Sequence, residues 1–250
     1  MNKKDLLFIT EGEKDEPIFI EKMLKKCITN VEYKIYSYTT TIHTLARKLF
    51  SKNGEIDEDL DIKGVLKEEE TDLIKRRILE KNYTDIILVF DFEPHCDSPE
   101  FEKIKKMLEY FNDSANMGKL YINYPMMQSY KHLKKMPDID FKNRKVARVD
   151  ATKYKEIVNN ESHYKNLGKY NYPIFMKIIG HHLMKANYIL NKRYELMSKN
   201  EFISLDYIKI YNIERKSNRE DDMIDVLNTF VFFIVEYNST RFLERIKEFL

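Results

Sequence analysis

The stretch Asp5–Pro17, DLLFITEGEKDEP, decides how the chain is read. Leu6–Thr10 is short and apolar with a glycine close behind, the pattern of a strand buried on both faces. It stops in a cluster of charge at Glu11, Gly12, Glu13, Lys14, Asp15 and Glu16, and Pro17 is then well placed for the first turn of a helix. Like charges crowded at the tip of a buried element repel one another. A divalent cation is one partner that would compensate them, and a solvated loop is the bland alternative. Gly12 would let the backbone turn tightly and let a phosphate come close.

Outward from this point the pattern alternates. Phe19, Ile20, Met23, Leu24 and Cys27 recur at helical spacing, and Val31, Tyr33 and Ile35 alternate with polar neighbours as in a strand buried on one side. Ile42, Leu45 and Leu49 restore the helical period. Residues 54–70 are dense in acid and weak in periodicity, which reads as a mobile surface insertion. A short helix follows. Ile86–Phe90 then forms a second continuous apolar strand that ends on Asp91, Phe92 and Glu93. Ser98, Pro99 and Glu100 read as the cap and first turn of a helix burying Phe101, Ile104, Leu108 and Phe111. GKLYINYP, residues 118–125, supplies a fourth strand. Alternating strands and helices predict an α/β domain, a parallel sheet flanked by helices, over residues 1–140. Residues 141–250 carry long helical patterns and are expected to be mainly helical. Within them, ERKSNREDD, residues 214–222, reads as a loop and helix start, and FVFFIVEY, residues 230–237, as core or a partner interface.

Bulk properties narrow the functional classes. The chain has 250 residues, 43% hydrophobic and 34% charged, with a formal net charge of +2, so any nucleic-acid surface must come from segregated charge. Cys27 and Cys96 share no metal-type spacing with histidine, which argues against a disulfide scaffold and a structural zinc site and suits a reducing, cytoplasmic setting. The start MNKKDLLFIT is too quickly charged for a signal peptide, and TFVFFIVEY is too short to span a bilayer, so no membrane role is expected.

Both acidic clusters end strands, where parallel sheets bind their ligands. Magnesium or manganese prefers hard oxygen donors, a few carboxylates completed by water and phosphate. Asp91 and Glu93, two apart, can both turn toward one crevice once the chain leaves its strand. Glu11 is placed as a third ligand or as a general acid or base. FITEGEKDEPIFIEKM followed by ILVFDFE resembles the TOPRIM domain of topoisomerases, primases and OLD-type nucleases. Glu11, Gly12 and Asp15 match its first motif; Asp91 matches the second, with Glu93 in place of the usual aspartate. EGEKDEP is similar to the RloB-like branch of bacterial phage-defence loci, whose Asn-Pro segment INYPMMQSY, residues 122–130, resembles with Tyr124 inserted and Gln128 where a glutamate is usual.

The resemblance spans roughly residues 5–135. It implies a magnesium- or manganese-dependent nuclease acting on RNA or DNA, a bacterial phage-defence effector in which Glu11, Asp15, Asp91 and Glu93 hold the metal. Glu11 would bind metal or shuttle a proton, and Lys131 would assist as a catalytic cation. The departures at Glu93 and Gln128 leave a second expectation, a catalytically inactive TOPRIM-like module that binds nucleic acid or a partner protein.

A substrate surface is expected where Lys142, Arg144, Lys145, Arg148, Lys153 and Lys155 interleave with Tyr154, Tyr164, Tyr170 and Tyr172, cations for phosphates and rings for bases. A solvated lysine-rich helix face is the competing reading. His181 and His182 point about 100° apart on a helix and are expected to pack rather than share a metal. The apolar surplus of the C-terminal part would suit a homodimer or a regulatory partner protein.

Overall fold

The structure is a computed structural model that describes residues 4–51, 54–95 and 100–250. The cap assigned to Ser98 and Pro99 lies outside the described residues, as does Cys96. The chain divides into two compact units, residues 1–21 with 29–121, and residues 22–28 with 122–250.

In the first unit β1 (Lys4–Thr10) leads into α1 (Asp15–Cys27), with Pro17 in its first turn. The last turns of α1, from Lys22, belong to the second unit. β2 (Val31–Ser37) follows, then α2 (Ile42–Leu49), α3 (Ile62–Glu69), α4 (Leu73–Leu79) and β3 (Asp85–Asp91). α5 (Glu100–Tyr110), the two-residue β4 (Asn112–Asp113) and β5 (Gly118–Tyr124) complete the α/β part. The sheet order is β2-β1-β3-β5-β4, and β1 runs parallel to both β2 and β3. The expected α/β class with a mostly parallel sheet is therefore present.

The apolar runs explain the burial. Leu6, Leu7, Phe8 and Ile9 of β1 and Ile87, Leu88, Val89 and Phe90 of β3 are fully buried, as continuous apolar strands must be when helices cover both faces. β2 stands at the sheet edge, and its alternation holds: Glu32 and Lys34 are exposed while Val31, Tyr33 and Ile35 are half-buried. Gly118 sits at φ +112°, a conformation side chains rarely adopt, and a Cβ there would come to 3.0 Å of Leu88 Cδ1.

Two expectations are corrected here. The acidic stretch 54–70 contains α3, capped by Asp61, whose side chain accepts from Lys63 N, and anchored by buried Ile62 and Leu66. Two apolar residues four apart suffice to seat a short helix, though they are too few to register as a period. The division between units also falls earlier than residue 140, between Tyr121 and Ile122. Asn123 and Tyr124 pair with a strand far along the chain, which draws the end of β5 into the second unit.

That second unit contains β6 (Lys145–Ala147), α6 (Tyr154–Glu161) and the long α7 (Tyr172–Asn191). α8 (Lys199–Ile203), α9 (Tyr207–Glu220), β7 (Met223–Asp225), β8 (Leu227–Asn228), α10 (Phe233–Tyr237) and α11 (Ser239–Phe249) follow. β8 pairs with the end of β5, and β6 pairs antiparallel with β7. The region is mainly helical, as expected, with these short strands added. ERKSNREDD is a further correction, because Glu214–Glu220 is the end of α9 rather than a loop. Phe230–Val235 is core, as the run FVFFIV predicts. His181 and His182 are buried and pack: their ring nitrogens accept from the backbone N–H groups of Asp138 (2.8 Å) and Asn228 (3.0 Å). Among the described residues no helix is long and apolar enough to cross a membrane.

Leu88→Ala removes a fully buried side chain from the strand at the sheet's centre. It is expected to cost about 2–5 kcal/mol, read as a lower midpoint at unchanged slope in urea unfolding.

Candidate functional site

β1 and β3 are parallel neighbours, so their C-terminal ends lie side by side. The chain passes from β1 to β2 on one side and to β3 on the other, which makes this the switch point of the sheet. Glu11 is fixed there by its own backbone. Its N–H donates to Val89 O (3.1 Å) and its carbonyl accepts from Thr39 N (3.0 Å). Thr10 Oγ1 donates to Gly12 O (2.9 Å), which tightens the turn that follows.

The Glu11 side chain reaches to β3. Its Oε2 accepts from the backbone N–H of Asp91 (3.1 Å), and its carboxyl shares a hydrogen bond with that of Glu93. Burial pushes the Glu11 carboxyl up to about 8, against the lowering effect of the Asp91 N–H; the charges of Glu93 and Glu16 add to the rise. Glu93 is also raised by burial, with His95 and the Glu11 hydrogen bond acting the other way. Burial thus disfavours charge on both carboxyls of the pair. Phe92, between the two acids of β3, is buried.

Of the expected ligands, the structure brings Glu11 and Glu93 together at one hydrogen bond and places Asp91 against Glu11 through its backbone. Asp15 is exposed on the first turn of α1, where an acid is favourable at a helix N-terminus. Among the described residues no three His, Cys, Asp or Glu side chains converge closely enough to enclose a metal ion. Lys131 belongs to the second unit, where its Nζ donates to Asn159 Oδ1 (3.3 Å).

The sequence reading missed Glu16. This residue is buried, and a Cβ at position 12 would run into its carboxylate. The space Gly12 leaves open, expected for a phosphate, holds the chain's own Glu16. The available signal was a glycine four residues before an acid at the start of a helix, which permits that close approach.

The basic segment is only partly a surface. Lys145, Lys153 and Lys155 are exposed, with Lys142 and Arg148 half-buried. Arg144 is a correction: its side chain is 9% exposed, ion-paired with buried Asp138 (2.7 Å) and donating to His132 O (2.9 Å). Those partners hold its guanidinium inside the second unit, away from any phosphate. Tyr154 and Tyr170 are likewise buried and offer no face to a base. Asn123 of the INYP segment is also buried, its Oδ1 accepting from Phe230 N (3.3 Å). Comparison of the chain with protein-family models, with curated proteins and with solved structures found no match.

The raised Glu11 carboxyl has a thermodynamic consequence. Between about pH 4.5 and 8 the folded chain keeps a proton there that the unfolded chain has released, so this group's contribution to stability declines as pH rises. One retained proton gives a slope of up to about 1.4 kcal/mol per pH unit. Buried Glu214, also pushed up to about 8 by burial, adds a separate slope in the same window. Glu11→Gln removes only the first. Relative to wild type, the variant is expected to gain stability steadily from pH 5 to 8 in urea unfolding; parallel stability curves would refute the assignment.

Proposed function

We propose that the first unit is a TOPRIM-type, divalent-cation-dependent phosphodiesterase that cleaves RNA or DNA, the activity of a bacterial phage-defence effector. One observation carries this reading: the hydrogen-bonded Glu11–Glu93 carboxyl pair, partly buried at the β1–β3 switch point. Two acids are held there at hydrogen-bonding range and burial disfavours the charge of both, although each would be ionised and solvated if exposed. A magnesium or manganese ion is the natural partner for the pair, since the donors are hard carboxylate oxygens. Glu11 and Glu93 would hold it; the family resemblance adds Asp91 and Asp15, whose side chains do not converge on that pair among the described residues.

When bound, the ion would polarise a phosphodiester oxygen and offset its developing charge. The chain's residues have separate tasks. Glu11 would either hold the ion or, where the ion leaves it free, accept a proton from the attacking nucleophile and return it to the leaving oxygen. The Asp91 N–H orients it for this transfer. The role of Lys131 as an assisting cation rests on the family resemblance.

The inactive-module reading draws on a different observation, the Glu16 carboxylate above Gly12, where a phosphate was expected. Cleavage assays on tRNA, single-stranded RNA and DNA, with magnesium or manganese, separate the two. The nuclease reading expects cleavage that Glu11→Ala and Glu93→Ala each reduce at least a hundredfold and that chelation abolishes, with a smaller loss in Lys131→Ala. Binding of these substrates with no cleavage would instead establish the module, and cleavage that survives Glu11→Ala would overturn the site.

A further inference from the structure

The second unit carries an open cavity of about 370 Å³ between the β6–β7 pair, the C-terminal end of α7 and the later turns of α9. The volume lies within the roughly 300–1,000 Å³ typical of small-molecule sites. Four lysines line it, Lys142, Lys145, Lys192 and Lys216, against two aspartates, Asp221 and Asp225. Like charges gathered around one concavity focus a positive potential within it and raise the local concentration of anions.

The aspartates do not cancel that field. Asp225 is already held from inside the unit by Lys185, a fully buried lysine 2.5 Å away, and from the surface by Lys145 at 3.3 Å. Lys185 Nζ also donates to the carbonyls of Lys142 (2.8 Å) and Arg144 (3.0 Å), which clamps the segment that leads from Lys142 into β6 onto the wall. Lys216 has a surface partner, Glu220 at 3.6 Å, but both groups are exposed and such a pair is weak. Lys192 ends α7 in a left-handed conformation (φ 61°), which places its Nζ 5.6 Å from the centre of the Tyr188 ring.

The lining also offers surface for a base. Tyr188, Ile189 and Ile213 form an aromatic and aliphatic part of the wall. Ser217 belongs to the same lining, and its hydroxyl is buried with no hydrogen-bond partner, an unmet group of the kind that calls for a bound partner. Asp221, at the end of α9, supplies an acceptor for sugar hydroxyls.

We infer that this cavity is a nucleotide site, with phosphates on Lys142, Lys192 and Lys216 and a base against Tyr188. The nucleotide could arrive free or as the end of a nucleic-acid strand, because the recognised chemistry is the same. The inference stands apart from the carboxyl pair of the first unit and from any metal held there.

The test is isothermal titration calorimetry on the full chain, without divalent ions, using ADP, GDP, adenosine, pyrophosphate and a 5′-phosphorylated oligothymidylate. ADP or GDP is expected to bind at least tenfold more tightly than adenosine. Lys192→Glu combined with Lys216→Glu, both at exposed positions, should weaken nucleotide binding at least tenfold, whereas Lys247→Glu, outside the cavity, should leave it unchanged. Tyr188→Ala should weaken nucleotides severalfold and pyrophosphate little. Binding of the oligonucleotide alone, with the same losses in the variants, assigns the site to a strand end. Failure of wild type to bind either a nucleotide or the oligonucleotide, or binding indifferent to the double charge reversal, overturns the inference.

Discussion

The constraint on which the first unit's chemistry depends is the parallel pairing of β1 with β3. The register that sets Leu6 opposite Asp85 and Thr10 opposite Val89 also sets Glu11 beside the Asp91–Glu93 exit. Backbone hydrogen bonds to Val89 and Thr39 on its two sides fix where the Glu11 side chain begins. Burial and two neighbouring acids disfavour its charge; one N–H donor favours it. The first set wins, and the carboxyl is pushed up to about 8. The carboxyl therefore keeps its proton well above the usual carboxylate range.

The second unit handles buried charge differently. Lys185 has no exposed surface, and leaving an ammonium there unpaired would be prohibitive. It is paired with Asp225 and caps three carbonyls, those of Phe141, Lys142 and Arg144. Glu214, fully buried beside the same aspartate, is pushed up to about 8 by burial and accepts from the Asp225 N–H at 2.9 Å. This network fixes β6 and β7 against α7 and α9 and so shapes the wall of the lysine-lined cavity. The Arg144–Asp138 pair fixes the preceding turn in the same manner.

What the sequence discloses follows from what periodicity can carry. β1 and β3 were legible because a continuous apolar run has few meanings, and Glu11, Asp91 and Glu93 were legible because they end such runs. α3 was not, since only Ile62 and Leu66 anchor it. The end of α9 was hidden for the opposite reason: its buried face consists of Glu214, Ser217 and Asn218, which a hydrophobic pattern scores as solvent-facing. Composition alone could not separate Lys153, which is exposed, from Arg144, which is ion-paired inside, nor Tyr164 from the buried Tyr154 and Tyr170. Glu16 was hidden because an acid at a helix start has an ordinary explanation in the helix dipole. Its carboxylate instead folds back over Gly12.

The central claim is that a cation displaces the proton kept at the Glu11–Glu93 pair. Calorimetric titration of manganese into the protein at pH 7, repeated in buffers of different ionisation enthalpy, measures protons released per ion bound. With the Glu11 carboxyl raised to about 8, the account predicts release of about one proton per ion at pH 7, falling toward none above pH 9 and absent in Glu11→Gln. Manganese binding with no proton release at pH 7, or with the same release from Glu11→Gln, would contradict it.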